Sequence, residues 1–171
     1  MKNDKLTTSK KVVITGFLVA VGTVLQIVEG MFNVFAIPGG KIGIASIVSL
    51  VDLFIMGGGN ALLVAVLRAI LGSILYGGVG TLPYSLGGAV MSVLAMIASK
   101  RLFYPKLSLV GISIIGAFFH NLMQILVATV VFKSFDLFYY FPVLTIVGTI
   151  GGVLTGYASM LFCKKIGLIK I

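Results

Sequence analysis

Apolar residues run along this chain in long blocks, separated by short stretches rich in glycine, proline and lysine. A helix that crosses the hydrocarbon of a bilayer takes about 20 mostly apolar residues, and several of the blocks have that length. Residues 12–31 predict a first span. A loop follows over 32–41, broken by Pro38, Gly39 and Gly40. Residues 42–56 predict a short second span that ends at Gly57, Gly58 and Gly59. Asn60 is placed to cap a third span, which runs to Tyr76 before Gly77, Gly78 and Gly80 stop it. A fourth covers 83–99, a basic loop 100–108, a fifth 109–132, a loop 133–141 and a sixth 142–162.

Composition points the same way. The chain is 59% hydrophobic and 10% charged, with a mean hydropathy of +1.19, whereas a soluble domain carries about 25% charged residues. The expected fold class is an all-α integral membrane protein, a compact bundle of about six transmembrane helices. A transmembrane domain over 12–163 then lies between basic tails at 1–11 and 164–171. The net charge of +9 would suit nucleic acid, but the basic residues sit in flanks between apolar blocks, which is a membrane pattern. With the N-terminus in the cytoplasm, Lys2, Lys5, Lys10, Lys11, Lys100, Arg101, Lys106, Lys164, Lys165 and Lys170 fall inside, and only Lys41 and Lys133 outside. The positive-inside rule thus places both termini in the cytoplasm of a multi-pass cell-membrane protein. Lys2 to Lys11 ahead of an apolar block resemble a secretory signal, with Val34-Phe35-Ala36 a passable cleavage site. Cleavage would leave an odd number of spans with basic ends on opposite faces, so the first span is read as uncleaved.

The candidate chemistry lies in polar residues inside the spans. The lone histidine, His120, shares a helix face with Asn121 and Gln124 in the middle of the fifth span. Such groups in a membrane helix face protein, water or a ligand, and here they are expected to line an internal cavity. Arg68 sits near the middle of the third span and Asp52 in the inner half of the second. Their depths allow an ion pair, and the Arg68 fork also has donors for a ligand anion. Gln26 and Glu29 share a face near the outer end of the first span and, with Lys41, are expected to line an outward mouth. His120 also has the side-chain chemistry of a pH-sensitive group. Gly148, Gly152 and Gly156 form a small-residue packing face on the sixth span, and Gly16 with Ala20 a shorter one on the first.

Several chemistries lack their residues. The chain has four carboxylates, Asp4, Glu29, Asp52 and Asp136, with no run to hold a magnesium–diphosphate. It has no Walker A sequence, and one His and one Cys exclude most zinc sites. Cys163 reads as a packing residue beside Lys164 and Lys165. The chain is expected to be no enzyme and to carry no cofactor or metal.

Four stretches carry a family resemblance: Pro38-Gly39-Gly40-Lys41-Ile42-Gly43-Ile44-Ala45, Leu67-Arg68-Ala69-Ile70-Leu71-Gly72-Ser73, Gly116-Ala117-Phe118-Phe119-His120-Asn121-Leu122-Met123-Gln124, and Tyr139-Tyr140-Phe141-Pro142. Through them the chain resembles the Gx transporter family, long named heptaprenyl diphosphate synthase component I. That family is in turn similar to the substrate-binding S components of energy-coupling factor transporters. The resemblance implies a six-helix fold with a pocket open to the outside and a lid in the first loop, around Pro38, Gly39 and Gly40. It implies a docking patch at Gly16 and Ala20 for an energy-coupling transmembrane subunit with ATPases in trans. The ligand would be a small organic molecule such as a vitamin, flavin, quinone or isoprenoid precursor, met by Arg68, His120, Asn121, Gln124, Lys41, Glu29 and Gln26. Family members also resemble a membrane component found with flavin-based extracellular electron-transfer systems, which gives an alternative role as anchor of a flavin-binding redox protein. A third role is that of an accessory subunit of prenyl diphosphate synthesis.

Overall fold

The computed structural model describes residues 7–31 and 43–168. Six α-helices carry the fold: α1 (Thr8–Met31), α2 (Ser46–Ile55), α3 (Gly58–Gly72), α4 (Leu82–Phe103), α5 (Leu109–Phe132) and α6 (Phe141–Lys165). A π-helical turn at Ser73–Gly77 prolongs α3, and 3-10 turns at Val79–Thr81 and Phe135–Tyr140 lead into α4 and α6. Among the described residues there is no strand, and five helical segments are long and apolar enough to cross a membrane. The chain is therefore a multi-pass, all-helical membrane protein.

Local signals set the helix ends. The Ser108 hydroxyl accepts the Gly111 N–H at 3.2 Å and starts α5. Lys133 ends it in the left-handed conformation, at φ 51°. Prolines at the first turns of α4 and α6 occupy positions where a helix lacks an N–H acceptor anyway. Gly57, at φ 96°, makes the reversal between α2 and α3 that a side chain would strain. The predicted Asn60 cap is not formed: α3 starts two residues earlier, at Gly58, and the Asn60 side chain faces another helix instead. The fourth helix also runs four residues further than expected, to Phe103.

The fifth span matches its expected bounds, whereas α2 is shorter than predicted, at 10 residues. That is about 15 Å of helix, half the thickness of a bilayer core. It packs against α1, α3, α4 and α6 and lies inside the bundle, with Val48, Ser49, Leu50, Val51, Asp52 and Leu53 all buried. The first residues of α1 and α3 and the last residues of α2, α4 and α6 meet at one end of the bundle. Thr15 bonds Asn60 there, Lys100 bonds the Leu53 carbonyl at 2.8 Å, and Cys163 packs with Val51 and Leu109. Lys10, Lys11, Arg101, Lys106, Lys164 and Lys165 gather at the same end.

Helix α5 is held between α4 and α6. The α5–α6 contact is close because the expected glycine face of α6 meets it. A Cβ on Gly152 would lie 3.0 Å from Ile114 Cα, and one on Gly156 2.6 Å from Val110 Cα. Ser113 and Thr155 hydrogen-bond across the same seam at 2.8 Å. On α3, Ala61, Ala65 and Ala69 form a fully buried stripe in a core completed by Leu50, Leu53, Ala89, Val93, Met96 and Ile112.

Two glycines separate packing from exposure. Gly156→Val should force α5 and α6 apart and lower stability by about 1–3 kcal/mol, the usual cost of overpacking. Gly16→Leu extends into open space and should leave stability unchanged. Thermal unfolding of the detergent-solubilised protein compares them, and equal melting temperatures would contradict the packing assigned to α6.

Candidate functional site

The C-terminal half of α1 presents two buried polar side chains, Gln26 and Glu29, toward α2 and α3. Small residues make the room. A Cβ on Gly22 would come within 2.9 Å of Arg68 Cδ, and one on Gly72 within 2.5 Å of the Gln26 amide. Arg68 lies along this channel, 4% exposed. Its guanidinium donates to Gln26 Oε1 at 3.3 Å and to Ser49 Oγ of α2 at 3.4 Å. The charge that opposes it is the Glu29 carboxylate.

Glu29 has a second task. Its two oxygens accept the backbone N–H groups of Gly43 and Ala45, the latter at 3.4 Å. The carboxylate therefore sits at the unsatisfied amides ahead of α2, where a helix N-terminus favours negative charge. Gly43 adopts φ 90° to aim its N–H inward. Glu29 thus ties α1 to the start of α2 and sets its charge against Arg68 of α3.

These groups surround a cavity. Gln26 and Glu29 of α1, Gly43, Ala45 and Ser46 at the start of α2, Arg68 of α3, Ser85 of α4 and His120 of α5 line it. Its volume is about 20 Å³, enough for one water molecule. A smaller hollow of about 10 Å³ adjoins it through Gly43, Ser46 and His120, and adds Ser92, Ala117 and Asn121. Arg68 and His120, 52 positions apart in sequence, thus line one space, whereas Gln124, expected to share it with Arg68, lies outside both hollows.

The expected Asp52–Arg68 ion pair is corrected. Asp52 Oδ2 accepts the Asn60 amide at 2.7 Å, and Asn60 Oδ1 accepts the Thr15 hydroxyl at 3.1 Å. Arg68 stands two turns above Asn60 on α3, about 12 Å along the axis. Ser49, one turn above Asp52, is the α2 residue at its level. The result is two parallel polar bridges across the same three helices, Thr15–Asn60–Asp52 below and Gln26–Arg68–Ser49 above.

The expected triad on α5 divides. His120 and Gln124 face α4, where a Cβ on Gly88 would meet His120 Cε1 at 2.9 Å and Gln124 Cγ at 3.0 Å. Asn121, rotated by one residue, faces α6, gives its amide to the Leu144 carbonyl at 2.7 Å and packs against Gly148. Gln124 lines neither hollow. It is 2% exposed, and both ends of its amide lack a partner among the described residues. Lys41, Pro38, Gly39 and Gly40 lie outside the described residues. Gly16 and Ala20 are exposed on the outward face of α1. Ser46, Ser49, Ser85 and Ser92 were not anticipated, because a serine in a membrane helix carries no spacing signal of its own. Among the described residues no group of three His, Cys, Asp or Glu side chains could hold a metal ion.

The Glu29–Arg68 pair should behave as a buried unit. Removing one charge leaves the other uncompensated, at a cost of about 3–5 kcal/mol. Glu29→Gln or Arg68→Gln alone should therefore destabilise strongly, and the double variant less than the sum of the two. A double-mutant cycle on unfolding in detergent measures the coupling, and strict additivity would show that the two charges do not interact.

The family model described as Heptaprenyl diphosphate synthase component I matches residues 18–162. The match spans α1 to α6 and contains every residue of both polar bridges except Thr15. No curated protein and no solved structure matches the chain. The chain belongs to the heptaprenyl diphosphate synthase component I family.

Proposed function

We propose that the protein is a non-catalytic, membrane-embedded binding subunit for a small organic ligand, whose polar end is held by Arg68, Glu29, Gln26 and His120. One observation carries this reading: polar side chains from four helices and the start of a fifth converge on one hollow. Ligand sites are built this way, with a few convergent polar groups among apolar walls. The hollow takes a water-sized group as it stands, so a larger ligand must part the helices around it. The seams that would part are glycine contacts, Gly22 and Gly72 between α1 and α3 and Gly88 between α4 and α5. Such contacts interlock less than large side chains do.

The basic end of the bundle faces the cytoplasm by the positive-inside rule, which turns the Glu29–Arg68 end outward in the cell membrane. Uptake would then draw on an ATPase module in trans, as in the S components that the chain resembles. Gly16 and Ala20, on the exposed face of α1, are the contact for its membrane subunit. Native mass spectrometry of the protein extracted from its own membranes should show a retained small molecule that Arg68→Ala and His120→Ala both release. Retention unaffected by either variant, or no retained molecule in the wild type, would remove the receptor reading. Gly16→Leu should at the same time weaken co-purification of a membrane subunit.

The family's name favours a second reading, an accessory component in prenyl diphosphate synthesis. Its word "component" implies another chain, and with four carboxylates in total the diphosphate chemistry would fall to that chain. Deletion should then alter the length or amount of prenyl diphosphate products in the cell. An unchanged prenyl profile would eliminate this alternative.

A further inference from the structure

Away from the polar hollow, the outer faces of α4 and α5 enclose an apolar groove of about 410 Å³. Leu94, Ala95, Ala98 and Phe103 of α4 and Ile115 and Phe119 of α5 line it. The alanines leave the space that larger side chains would fill. Its lining on α4 extends from Met91 to Phe103, about 18 Å of helix rise. Both helices are among the segments able to span a membrane, so the medium that reaches the groove is hydrocarbon. An empty trough there would forfeit dispersion contacts along its whole lining, and a lipid chain restores them.

The two ends of the groove differ in charge. At the Phe103 end, the last turn of α4 carries Lys100 and Arg101, and the following loop carries Lys106. Lys100 is turned inward, with its ammonium on the Leu53 carbonyl at 2.8 Å and 4.1 Å from the centre of the Phe54 ring. Arg101 and Lys106 are exposed. The other end, at Met91, lies mid-helix among apolar and small residues. A trough for one chain with basic residues at a single end is complementary to an amphiphile with one buried tail and an anionic head.

We propose that the α4–α5 groove is a specific site for one acyl chain of an anionic phospholipid, its phosphate held by Arg101 and Lys106. The site is separate from the polar hollow and stands whether or not that hollow binds a ligand. It leaves the headgroup at the basic end of the bundle, so it selects lipid from one leaflet.

The test uses the full chain, exchanged into mixed micelles of phosphatidylglycerol and phosphatidylcholine in equal amounts and read by native mass spectrometry. Wild type should retain phosphatidylglycerol over phosphatidylcholine by about fivefold for each basic residue engaged. Ala98→Phe should lose most of the retained phosphatidylglycerol. Ile150 lies on α6 and is 58% exposed, and Ile150→Phe should lose none. The double variant Arg101→Gln, Lys106→Gln should bind both lipids equally. Leu94 is 45% exposed, so Leu94→Trp covers the groove from its rim and gives the same readout if Ala98→Phe does not fold. Wild-type retention without headgroup preference, or equal losses in Ala98→Phe and Ile150→Phe, would overturn the site. A polyprenyl phosphate retained in place of phospholipid, and released by Ala98→Phe, would overturn the assignment of its occupant.

Discussion

Polar side chains buried among membrane helices must find partners there, because hydrocarbon offers none. In this bundle that constraint is met mainly between α1, α2 and α3. Two three-residue bridges cross these helices at different depths, and in each the middle residue comes from α3: Asn60 below, Arg68 above. The 10-residue α2 is too short to be anchored by spanning length. Its position comes from Asp52 and Ser49 on its flank and from Glu29 at its first amides. A single interhelical hydrogen bond in a membrane averages about 0.6 kcal/mol, so it is the set of bonds that fixes the helix.

Small residues decide where the polar groups can go. Gly22 and Gly72 admit the Arg68 stem and the Gln26 amide between α1 and α3, and Gly88 admits His120 and Gln124 between α4 and α5. Where no polar group is inserted, as at Gly152 and Gly156, the backbones themselves come together. The same residue type therefore makes a tight seam at Gly152 and Gly156 and a polar niche at Gly148 and Gly88. The niche around Gln124 holds an amide without a partner among the described residues.

Much of the fold was legible from spacing alone. Block length gave the long helices, with α5 matching residue for residue, and the glycine face on α6 gave its close packing. The candidate site was legible in its membership and less so in its pairings. Arg68, His120, Gln26 and Glu29 stand out as polar groups in apolar blocks, and they do meet. The Asp52–Arg68 pairing failed because depth was estimated without Asn60, which lies level with Asp52 and takes its carboxylate. Of His120, Asn121 and Gln124, the first two border the smaller hollow, while one residue of rotation, 100° on a helix, turns the Asn121 amide to α6 and Gln124 borders neither hollow. The partners of Glu29 are backbone amides, which no side-chain pattern announces.

The proposed function rests on Arg68 and His120 bordering one hollow, and requires that this hollow be reached from the end of the bundle opposite the basic residues. Ser46 lines both parts of that hollow, which makes it the most direct reporter. In a Cys163→Ser background, Ser46→Cys in intact cells should react with a small membrane-impermeant thiol reagent, more slowly than Phe135→Cys, whose site is 80% exposed, but to completion. Complete protection of Ser46→Cys, with Phe135→Cys labelled under the same conditions, would show the hollow to be sealed and contradict the account.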